Sequence, residues 1–454
     1  EEIIISYWDE KGELKISKIK LSSEDMYNWV ICPETDQNKS KRYLNQTGQY
    51  IKKVPAKRLN KFRKIEFLNS LSESIQKKIF SPNMPKKTFG DIEVYAPDKF
   101  PEETEALYPI VSNCWCDENG NVWLQGLKPL NDLEIQTLER RANGYLNDIK
   151  HEHLKKKYTL TYLYYSSETL LLEDYVTNWA TKFHILFGWN YLKFDMRYIK
   201  NRCKRLGVKF EKMSPTKNTF IWNLSDKNQR EVKHPVELPM HRPVMDYMKV
   251  FEEFDKTVKF KTNLNLDMTA STVLGTKKIE YPGTLAELYD NDHMLFYLYA
   301  IVDPVLVQLI DQRLNTYETL LYLSSTGRVD HFDGFHASSI ANVLFSDYYK
   351  TERNQQLVKE YAEQDESGYS GGYVQKPEIG IHDDVLIHDF TSFFPSGMMA
   401  FNMGVDSMLG RLKPQYINTY LTDKGKTHNE IIDRESFLGL EYYDKNGNIG
   451  IVND

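Results

Sequence analysis

The sequence is poor in cysteine and has no long apolar run. Its four cysteines include no CxxC pair and no spacing typical of a zinc site, so a reduced intracellular protein is the simplest interpretation. They are Cys32, Cys114, Cys116 and Cys203. No run approaches about 18 apolar residues, and the opening EEIIISYWDE lacks the regions of a signal peptide, so we expect neither secretion nor a membrane span. The sequence does not begin with methionine, which is compatible with a longer gene product.

A strong excess of one charge sign is also missing. The 58 basic and 64 acidic residues give a formal net charge of −6, which argues against a nonspecific polycation. The basic residues are unevenly distributed, because from Lys39 to Lys64 every charged residue is basic, with Tyr43, Tyr50 and Phe62 interleaved. Most such runs are solvated faces, and the alternative is a surface that follows a phosphate backbone.

The chain is long enough for several domains. With 454 residues, 41% hydrophobic and 27% charged, it has the composition of about two to four soluble domains. The opening EIIISYWDEKGELKISKIKL predicts a hairpin, and residues 219–238 predict a second one with a long polar tip. SETLLLEDYVTNWATKF has helical spacing, and HILFGWN follows it as a short apolar strand. This order of elements predicts a mixed α/β multidomain protein.

Two acids stand on a predicted strand, TFGDIEVY, at residues 88–95. Because a strand alternates its side chains, Asp91 and Glu93 project to one face and Ile92 and Val94 to the other. If both faces of the sheet are covered, the acids need a cation or a polar cleft, since a buried unpaired carboxylate is very costly. An edge strand with one face in water is the other interpretation of this motif alone.

Two further acids stand where a site is expected. Asp195 follows an apolar strand and opens a predicted helix, and Tyr299 and Asp303 share one face of a later helix. Each aspartate alone is more simply a core residue bonded to a backbone group or an arginine. Together with the strand acids they form a four-carboxylate set of the kind that holds two Mg²⁺ ions, about 3.5–4 Å apart, around a scissile phosphate. Tyr299 would then orient the attacking water.

The ordered motifs DIE, N-x-x-x-F-D and Y-x-x-x-D resemble the three exonuclease motifs of family B DNA polymerases. Three stretches are similar in sequence and in order to the polymerases of T-even-type bacteriophages: GDIEVYAPDKFPEETEALYPI, GWNYLKFDMRYIKNRCKRLG and VMDYMKVFEEF. The resemblance implies an RNase H-like 3′–5′ exonuclease domain. The implied metal ligands are Asp91, Glu93, Asp195 and Asp303, with Tyr299 as a further catalytic residue and Asn190 and Phe194 contacting the substrate.

Landmarks of the same family follow downstream. SGYSGGYV resembles the YxGG element that joins exonuclease and polymerase modules, and VLIHDFTSFFPSGM resembles polymerase motif A, D-x-x-S-L-Y-P-S. There an apolar strand ends at Asp389, which would act in catalysis by holding Mg²⁺, and the turn after it offers backbone N–H groups to a triphosphate. Phe394 stands where the family usually has the tyrosine that packs against the deoxyribose. The implied substrate-binding residues are Tyr369, Gly371, Gly372, Ser392, Phe393 and Phe394.

Several family features differ or are missing. Pro304 directly follows Asp303 and removes a helical hydrogen bond, so the helical pattern alone does not fix the exact position of this ligand. No segment resembles the fingers helix K-x-x-x-N-S-x-Y-G or the second palm motif D-T-D. We therefore expect that the chain does not polymerise alone, because it is part of a longer protein or because a second polypeptide supplies the rest. The hairpin at residues 219–238 occupies the place of a strand-separating loop, and an ordinary surface hairpin is an equal alternative.

These expectations give a domain plan and a set of ligands. Residues 1–86 would form an N-terminal domain, 87–313 the exonuclease domain, 314–364 a helical return to the N-terminal domain, and 365–454 the YxGG linker with the first part of the palm. The resemblance implies a proofreading DNA polymerase of the bacterial host cytoplasm, without membrane contact. Its ligands would be primer-template and single-stranded DNA, dNTPs, two Mg²⁺ or Mn²⁺ ions per site, a sliding clamp and the remaining polymerase portion. A stand-alone 3′–5′ exonuclease would leave motif A unexplained, and a non-catalytic DNA-binding subunit would leave the intact carboxylate set unexplained.

Overall fold

The structure is a computed structural model that describes most of the first 358 residues and short segments after them. The described residues are 2–57, 59–81, 83–226, 229–254, 264–329, 333–358, 379–380, 382–383, 386, 392–400, 410–412, 441–444 and 447–451. Predictions that rest on other residues therefore lie outside the described part of the chain.

Strands and helices alternate along the described chain, which confirms the predicted mixed α/β class. The strands are β1 Glu2–Trp8, β2 Leu14–Lys20, β3 Tyr27–Ile31, β4 Lys39–Asn45, β5 Tyr50–Pro55, β6 Lys87–Val94, β7 Ile110–Cys116, β8 Asn121–Gly126, β9 Thr159–Tyr164, β10 Ile185–Gly188, β11 Thr219–Asp226, β12 Gln229–Pro239, β13 Val244–Asp246, β14 Gln355–Gln356, β15 Gly410–Leu412, β16 Glu441–Asp444 and β17 Ile449–Ile451. The helices are α1 Lys61–Ser70, α2 Glu73–Ile79, α3 Asp132–Leu146, α4 Glu168–Asp174, α5 Asp195–Leu206, α6 Tyr247–Phe254, α7 Leu266–Val273, α8 Leu285–Asn291, α9 His293–Leu314, α10 Thr316–Thr326, α11 Ala337–Glu352 and α12 Phe393–Ala400. Both predicted hairpins are present, as the antiparallel pairs β1–β2 and β11–β12.

The chain divides into two compact units. The first comprises Glu1–Lys20 and Leu71–Ala341, and the second comprises Leu21–Ser70 and Asn342–Asp454. The domain boundaries expected from the sequence stay a prediction.

A six-stranded sheet forms the centre of the first unit, in the order β13-β10-β6-β7-β8-β9. The pairs β6–β7 and β7–β8 are antiparallel, whereas β10 runs parallel to both β6 and β13, and β9 runs parallel to β8. The two shorter strands β10 and β13 are nearly continuous apolar runs, as expected for strands covered on both faces. The parallel arrangement brings the carboxyl ends of β6, β10 and β13 to one edge.

Two hydrophobic clusters cover the opposite faces of this sheet. Phe89 of β6 belongs to a cluster with helices α3, α6, α7, α8, α9 and α10, and Ile92 and Val94 belong to a cluster with α4 and α5. Because side chains alternate along a strand, Asp91 and Glu93 lie on the same face as Phe89, under α9. The interpretation of β6 as an edge strand with one wet face is therefore wrong.

Helix α9 is the central helix of the first unit. Its residues from Phe296 to Asp311 are buried at nearly every position, and the helix continues through Pro304 to Leu314. Among the described residues, α9 is the one helix long and apolar enough to span a membrane, and 78% of its most apolar window is buried inside the protein. Such burial is the environment of a core helix.

The second unit contains a four-stranded sheet in the order β14-β4-β5-β3. Its core is small, with Tyr27, Trp29, Ile51 and Val358 packed together. The basic run seen in the sequence maps onto β4, β5 and α1 of this unit, and its exposed members include Lys41, Arg42, Lys53, Lys57 and Lys64. Strands β15, β16 and β17 form a separate antiparallel sheet in the same unit.

Candidate active site

Strand β6 and helix α9 bring three acids together. Asp91 and Glu93 project from β6 and Asp303 from α9, and carboxylate oxygens of all three lie within 4.8 Å of one another. Glu93 and Asp303 are 6% and 4% exposed, so water cannot supply much of their solvation. Three carboxylates at this separation repel one another strongly unless a cation or protons lie among them.

Asp195 completes a set of four acids. It is the first residue of α5, and its Oδ1 accepts a hydrogen bond from the backbone N–H of Ile92 at 3.1 Å. Since Ile92 lies between the two acids of β6, this bond places the Asp195 carboxylate beside them. We call Asp91, Glu93, Asp195 and Asp303 the acidic cluster.

Proline inside α9 does not displace Asp303. The helix spans His293–Leu314 with Pro304 in its interior, and Asp303 remains buried against β6. Proline costs the helix one hydrogen bond, and the packed apolar residues around it, Ile301, Val302, Val305 and Leu306, hold the segment in place. Asp303 therefore lies beside Asp91 and Glu93 with the proline directly after it.

Lys278 also belongs to the site, although no sequence motif indicates it. Its Nζ forms an ion pair with Asp303 Oδ2 and donates a hydrogen bond to the Tyr299 hydroxyl at 2.8 Å. The ring of Tyr299 meets the ring of Tyr281 edge-on, with centroids 5.2 Å apart. No local sequence signal marks Lys278, because it lies between α7 and α8, far along the chain from the acids of β6.

Burial dominates the electrostatics of the acidic cluster. Burial first, and then the charges of Asp195, Glu93 and Asp303, raise the pKa of Asp91 well above its usual value. Burial raises the pKa of Asp195 to about 7, although the hydrogen bond from Ile92 opposes the rise. For Glu93 and Asp303, burial also raises the pKa, and the Lys278 ammonium opposes the rise.

The cluster has the donor set of a divalent-cation site. Glu93 Oε1 and Asp303 Oδ1 are buried and have no hydrogen-bond partner among the described residues. Unpartnered buried oxygens are rare in folded proteins, and hard cations such as Mg²⁺ and Mn²⁺ prefer carboxylate oxygens. The residues present therefore fit such an ion.

Two aromatic side chains lie beside Asp195. Phe194 directly precedes it, and the ring of Phe100 lies 5.9 Å from the ring of Phe194, centroid to centroid. Phe100 is 78% exposed, although it is a large apolar side chain. Sequence reasoning selected Phe194 and missed Phe100, which lies in the loop after β6. Asn190, also selected, has a left-handed backbone at φ 57°, and its carbonyl accepts from the N–H groups of Lys193 and Phe194.

Asp246 is a further buried acid at the same sheet edge. It ends β13, pairs in register with Gly188 of β10, and is 4% exposed. Burial raises the pKa of Asp246 to about 6, and its carboxylate accepts from the backbone N–H of Met248 at 3.1 Å. These contacts give Asp246 a role in holding the turns after β10 and β13.

The residues selected for a second, polymerase-type site lie largely outside the described part of the chain. Tyr369, Gly371, Gly372 and Asp389 are not described. Ser392 is described, with a left-handed backbone at φ 52°, and α12 begins directly after it. Phe393 and Phe394 are 60% and 81% exposed at the start of that helix.

Comparisons with known proteins give matches over most of the chain. One family model, DNA polymerase family B, exonuclease domain, matches residues 47–267, and a second, DNA polymerase family B, matches residues 335–435. The chain is 23% identical over 367 residues to a DNA-directed DNA polymerase of Escherichia phage RB69, covering 79% of this chain and 39% of that relative. It is 22% identical over 266 residues to a DNA-directed DNA polymerase of Enterobacteria phage T4, covering 57% of this chain and 28% of that relative. The chain thus spans less than half the length of either relative.

Proposed function

Because this chain belongs to the family B DNA polymerases, we propose that its acidic cluster removes nucleotides from the 3′ end of DNA by hydrolysis of the terminal phosphodiester. The exonuclease domain of this family is RNase H-like, and the mixed sheet carries the cluster on its central strand β6. The observation that carries the proposal is the convergence of four acids from β6, α5 and α9 at one place.

The roles of the four acids follow from their positions. Asp91, Glu93 and Asp303 would hold two Mg²⁺ or Mn²⁺ ions together with Asp195, whose carboxylate accepts the backbone N–H of Ile92 between the two strand acids. When bound, such ions supply Lewis acidity that activates water and stabilises negative charge on the phosphate. Tyr299 would orient the attacking water, since its hydroxyl already lies beside Asp303 through their shared neighbour Lys278.

The surroundings of the cluster suit an unpaired DNA end. Exposed aromatic rings bind single strands by stacking on bases, and Phe100 offers such a ring beside the half-buried ring of Phe194, the residue before Asp195. Asn190 lies in the turn that precedes Phe194 and would contact the same substrate. We therefore assign single-stranded 3′ ends, including mispaired primer ends, as the substrate.

The test is a double substitution of the strand acids. Asp91→Ala combined with Glu93→Ala removes two of the four ligands, so we expect Mg²⁺-dependent digestion of a 5′-labelled single strand to fall below detection. Glu102→Ala is the matched control, because Glu102 is an exposed acid in the loop after β6, and it should digest at the wild-type rate. Undiminished digestion by the double variant would refute the site assignment.

DNA synthesis is the second part of the proposal. The match over residues 335–435 supports a segment of a family B polymerase. In this segment Asp389 would hold Mg²⁺, and Ser392, Phe393 and Phe394 would meet the incoming dNTP, next to the YxGG residues Tyr369, Gly371 and Gly372. The chain lacks segments resembling the fingers helix and the second palm motif, so synthesis requires the remaining polymerase portion, in the same or a separate polypeptide. A sliding clamp would be a further partner, and the host cytoplasm would be the site of action.

Primer extension separates the two activities. The chain alone should digest a primer without extending it, and addition of a polypeptide carrying the fingers and second palm motif should restore extension with dNTPs. Extension by this chain alone would contradict the proposed incompleteness of its polymerase site.

A further inference from the structure

A cation from the protein itself lies in the acidic cluster. Lys278 Nζ forms an ion pair with Asp303 Oδ2, and its side chain is 26% exposed while that of Asp303 is 5% exposed. Asp303 is also one of the three acids whose oxygens lie within 4.8 Å of one another. The ammonium group is thus in contact with one of the carboxylates that fit a divalent cation.

The backbone around Lys278 is held in place rather than loosely extended. The N–H of Lys278 donates to Asp267 Oδ1 at 2.8 Å, and the Tyr145 hydroxyl donates to the carbonyl of Lys277 at 2.8 Å. Ile279, the next residue, is buried in the core beside α9. These contacts fix where the lysine side chain starts, so its position at Asp303 follows from the fold of this segment.

Two glycines lie on either side of Lys278 in this segment. Gly275 and Gly283 have left-handed backbones, at φ +75° and +76°, and they flank the stretch that carries Lys278. Glycine adopts a left-handed backbone more easily than other residues, because it has no Cβ. The side chain of Lys278 also has four rotatable bonds, so its ammonium can leave the cluster while the backbone contacts persist.

The net charge of the acidic cluster determines how Lys278 responds when a divalent cation binds there. The acidic cluster carries up to four negative charges, and Lys278 neutralises one of them. A divalent ion among the same carboxylates would lie close to the ammonium, and two positive charges at such separations repel strongly where water is scarce. We propose that Lys278 is an internal counter-ion of the acidic cluster, which holds the acids together without metal and withdraws from them when a divalent cation binds.

The proposal rests on the proposed function, because it takes the acidic cluster as the metal site, and it makes a separate claim about affinity. Lys278 lowers the affinity of the cluster for its first divalent ion, because the ion has to replace an ion pair that already exists. Without the ammonium the cluster is more negative, and the cation–cation repulsion is gone. Both effects raise the affinity for the first divalent ion when the lysine is replaced.

The experiment measures Mn²⁺ binding to the whole chain by calorimetry and by the loss of the free-ion paramagnetic resonance signal, neither of which depends on turnover. Lys278→Met removes the charge and keeps most of the side chain, and we expect the first Mn²⁺ to bind at least about tenfold more tightly than in the wild type. Lys278→Arg keeps the charge and should not show this gain. Lys277→Met is the matched control, since Lys277 is the exposed neighbour, 62% exposed, and its binding should equal that of the wild type.

A background variant, in which the two strand acids are neutralised, tests whether the measured Mn²⁺ binding occurs at the acidic cluster. Asp91→Asn with Glu93→Gln should abolish the binding event that Lys278→Met strengthens. If that event persists in the background variant, the ion binds elsewhere, and the proposed active site is wrong. If the event disappears there but Lys278→Met binds Mn²⁺ equally or more weakly than the wild type, the active site stands and the counter-ion proposal is overturned.

Folding of the variants is checked by circular dichroism before titration. Should Lys278→Met fail to fold, Lys278→Gln replaces it, because the amide still donates hydrogen bonds to Tyr299 and Asp303 without carrying charge. The same tenfold gain is expected for Lys278→Gln, and its absence overturns the proposal in the same way.

Discussion

At the scale of single residues, His184 shows how burial turns a side chain into a source of pH dependence. It precedes β10 and is 7% exposed, and its Nδ1 accepts a hydrogen bond from the backbone N–H of Lys86 at 3.0 Å. Burial first, and then the charges of Lys86 and Arg242, lower the pKa of His184 from 6.5 to about 4. The more distant Asp9 and Glu13 oppose the shift.

The lowered pKa of His184 predicts a contribution to stability that is lost in mild acid, whereas the raised pKa values of buried acids such as Asp195 and Asp246 act in the opposite direction. The unfolded chain takes up a proton near pH 6.5 while the folded chain does so only near pH 4, so stability is fully present above pH 6.5 and falls as the pH drops towards 4. We expect His184 to account for roughly 1–3 kcal/mol of this loss. His184→Asn retains an acceptor for the Lys86 N–H without titrating, so in urea denaturation the change from pH 7.0 to 4.5 should be less destabilising, or more stabilising, for this variant than for the wild type.

The control for that measurement is His153→Asn, because His153 is exposed in the same unit. It should keep the wild-type difference between the two pH values. An equal difference for wild type and His184→Asn would show that other groups cause the acid sensitivity.

At the scale of secondary-structure elements, a buried ion pair joins the strand and the helix that carry three of the four acids. Lys87 of β6 is 2% exposed at its side chain, and its Nζ lies 2.8 Å from Asp311 Oδ2 of α9 and 2.7 Å from Glu118 Oε1. Asp311 is 3% exposed at its side chain and also accepts from the backbone N–H of Tyr317. A charge left alone at such a place is very unfavourable.

Removal of Lys87 alone should therefore lower the free energy of unfolding more than removal of both charges of the Lys87–Asp311 pair. We expect Lys87→Met to lower the free energy of unfolding by about 3–5 kcal/mol, because Asp311 then remains buried without its cation. The double variant Lys87→Met, Asp311→Asn should recover part of that loss. Lys77→Met, which breaks an exposed pair with Glu73, serves as control and should change stability by less than about 1 kcal/mol. Additive losses in the double variant would contradict the coupling, as measured by chemical denaturation.

Local patterns account for what the sequence predicted at this scale. Alternation along TFGDIEVY was enough to place Asp91 and Glu93 on one face, since that rule involves neighbours only. Helical spacing likewise placed Tyr299 and Asp303 together. Lys278 escaped prediction because its contact with Asp303 depends on how α7, α8 and α9 pack. The sequence left the exact position of Asp303 beside a helical proline open for the same reason, because tertiary packing overrides a local preference.

At the scale of the whole molecule, the fold of the first unit contains a site whose buried carboxylates destabilise that fold. The sheet and α9 bury most apolar side chains of the unit, and the same burial forces four carboxylates into a place with little water. Functional sites commonly carry such a conflict, and relieving it raises stability at the cost of activity. Asp195 and Asp303 have the Ile92 N–H and Lys278 as partners, whereas Glu93 Oε1 has none among the described residues.

Neutral isosteres of the strand acids should therefore stabilise the metal-free protein. We expect Asp91→Asn with Glu93→Gln to raise the free energy of unfolding by about 1–3 kcal/mol in EDTA, since repulsion among buried carboxylates is removed. Mn²⁺ should reverse the order: at a thousand times its dissociation constant, an ion that binds only the folded state adds about 4.1 kcal/mol to the wild type and nothing to the variant. Thermal melts with EDTA and with Mn²⁺ measure both effects, and Glu102→Gln should follow the wild type in each. A variant less stable than the wild type in EDTA would mean that the acids hold the site together without metal, so the conflict between folding and function would not exist here.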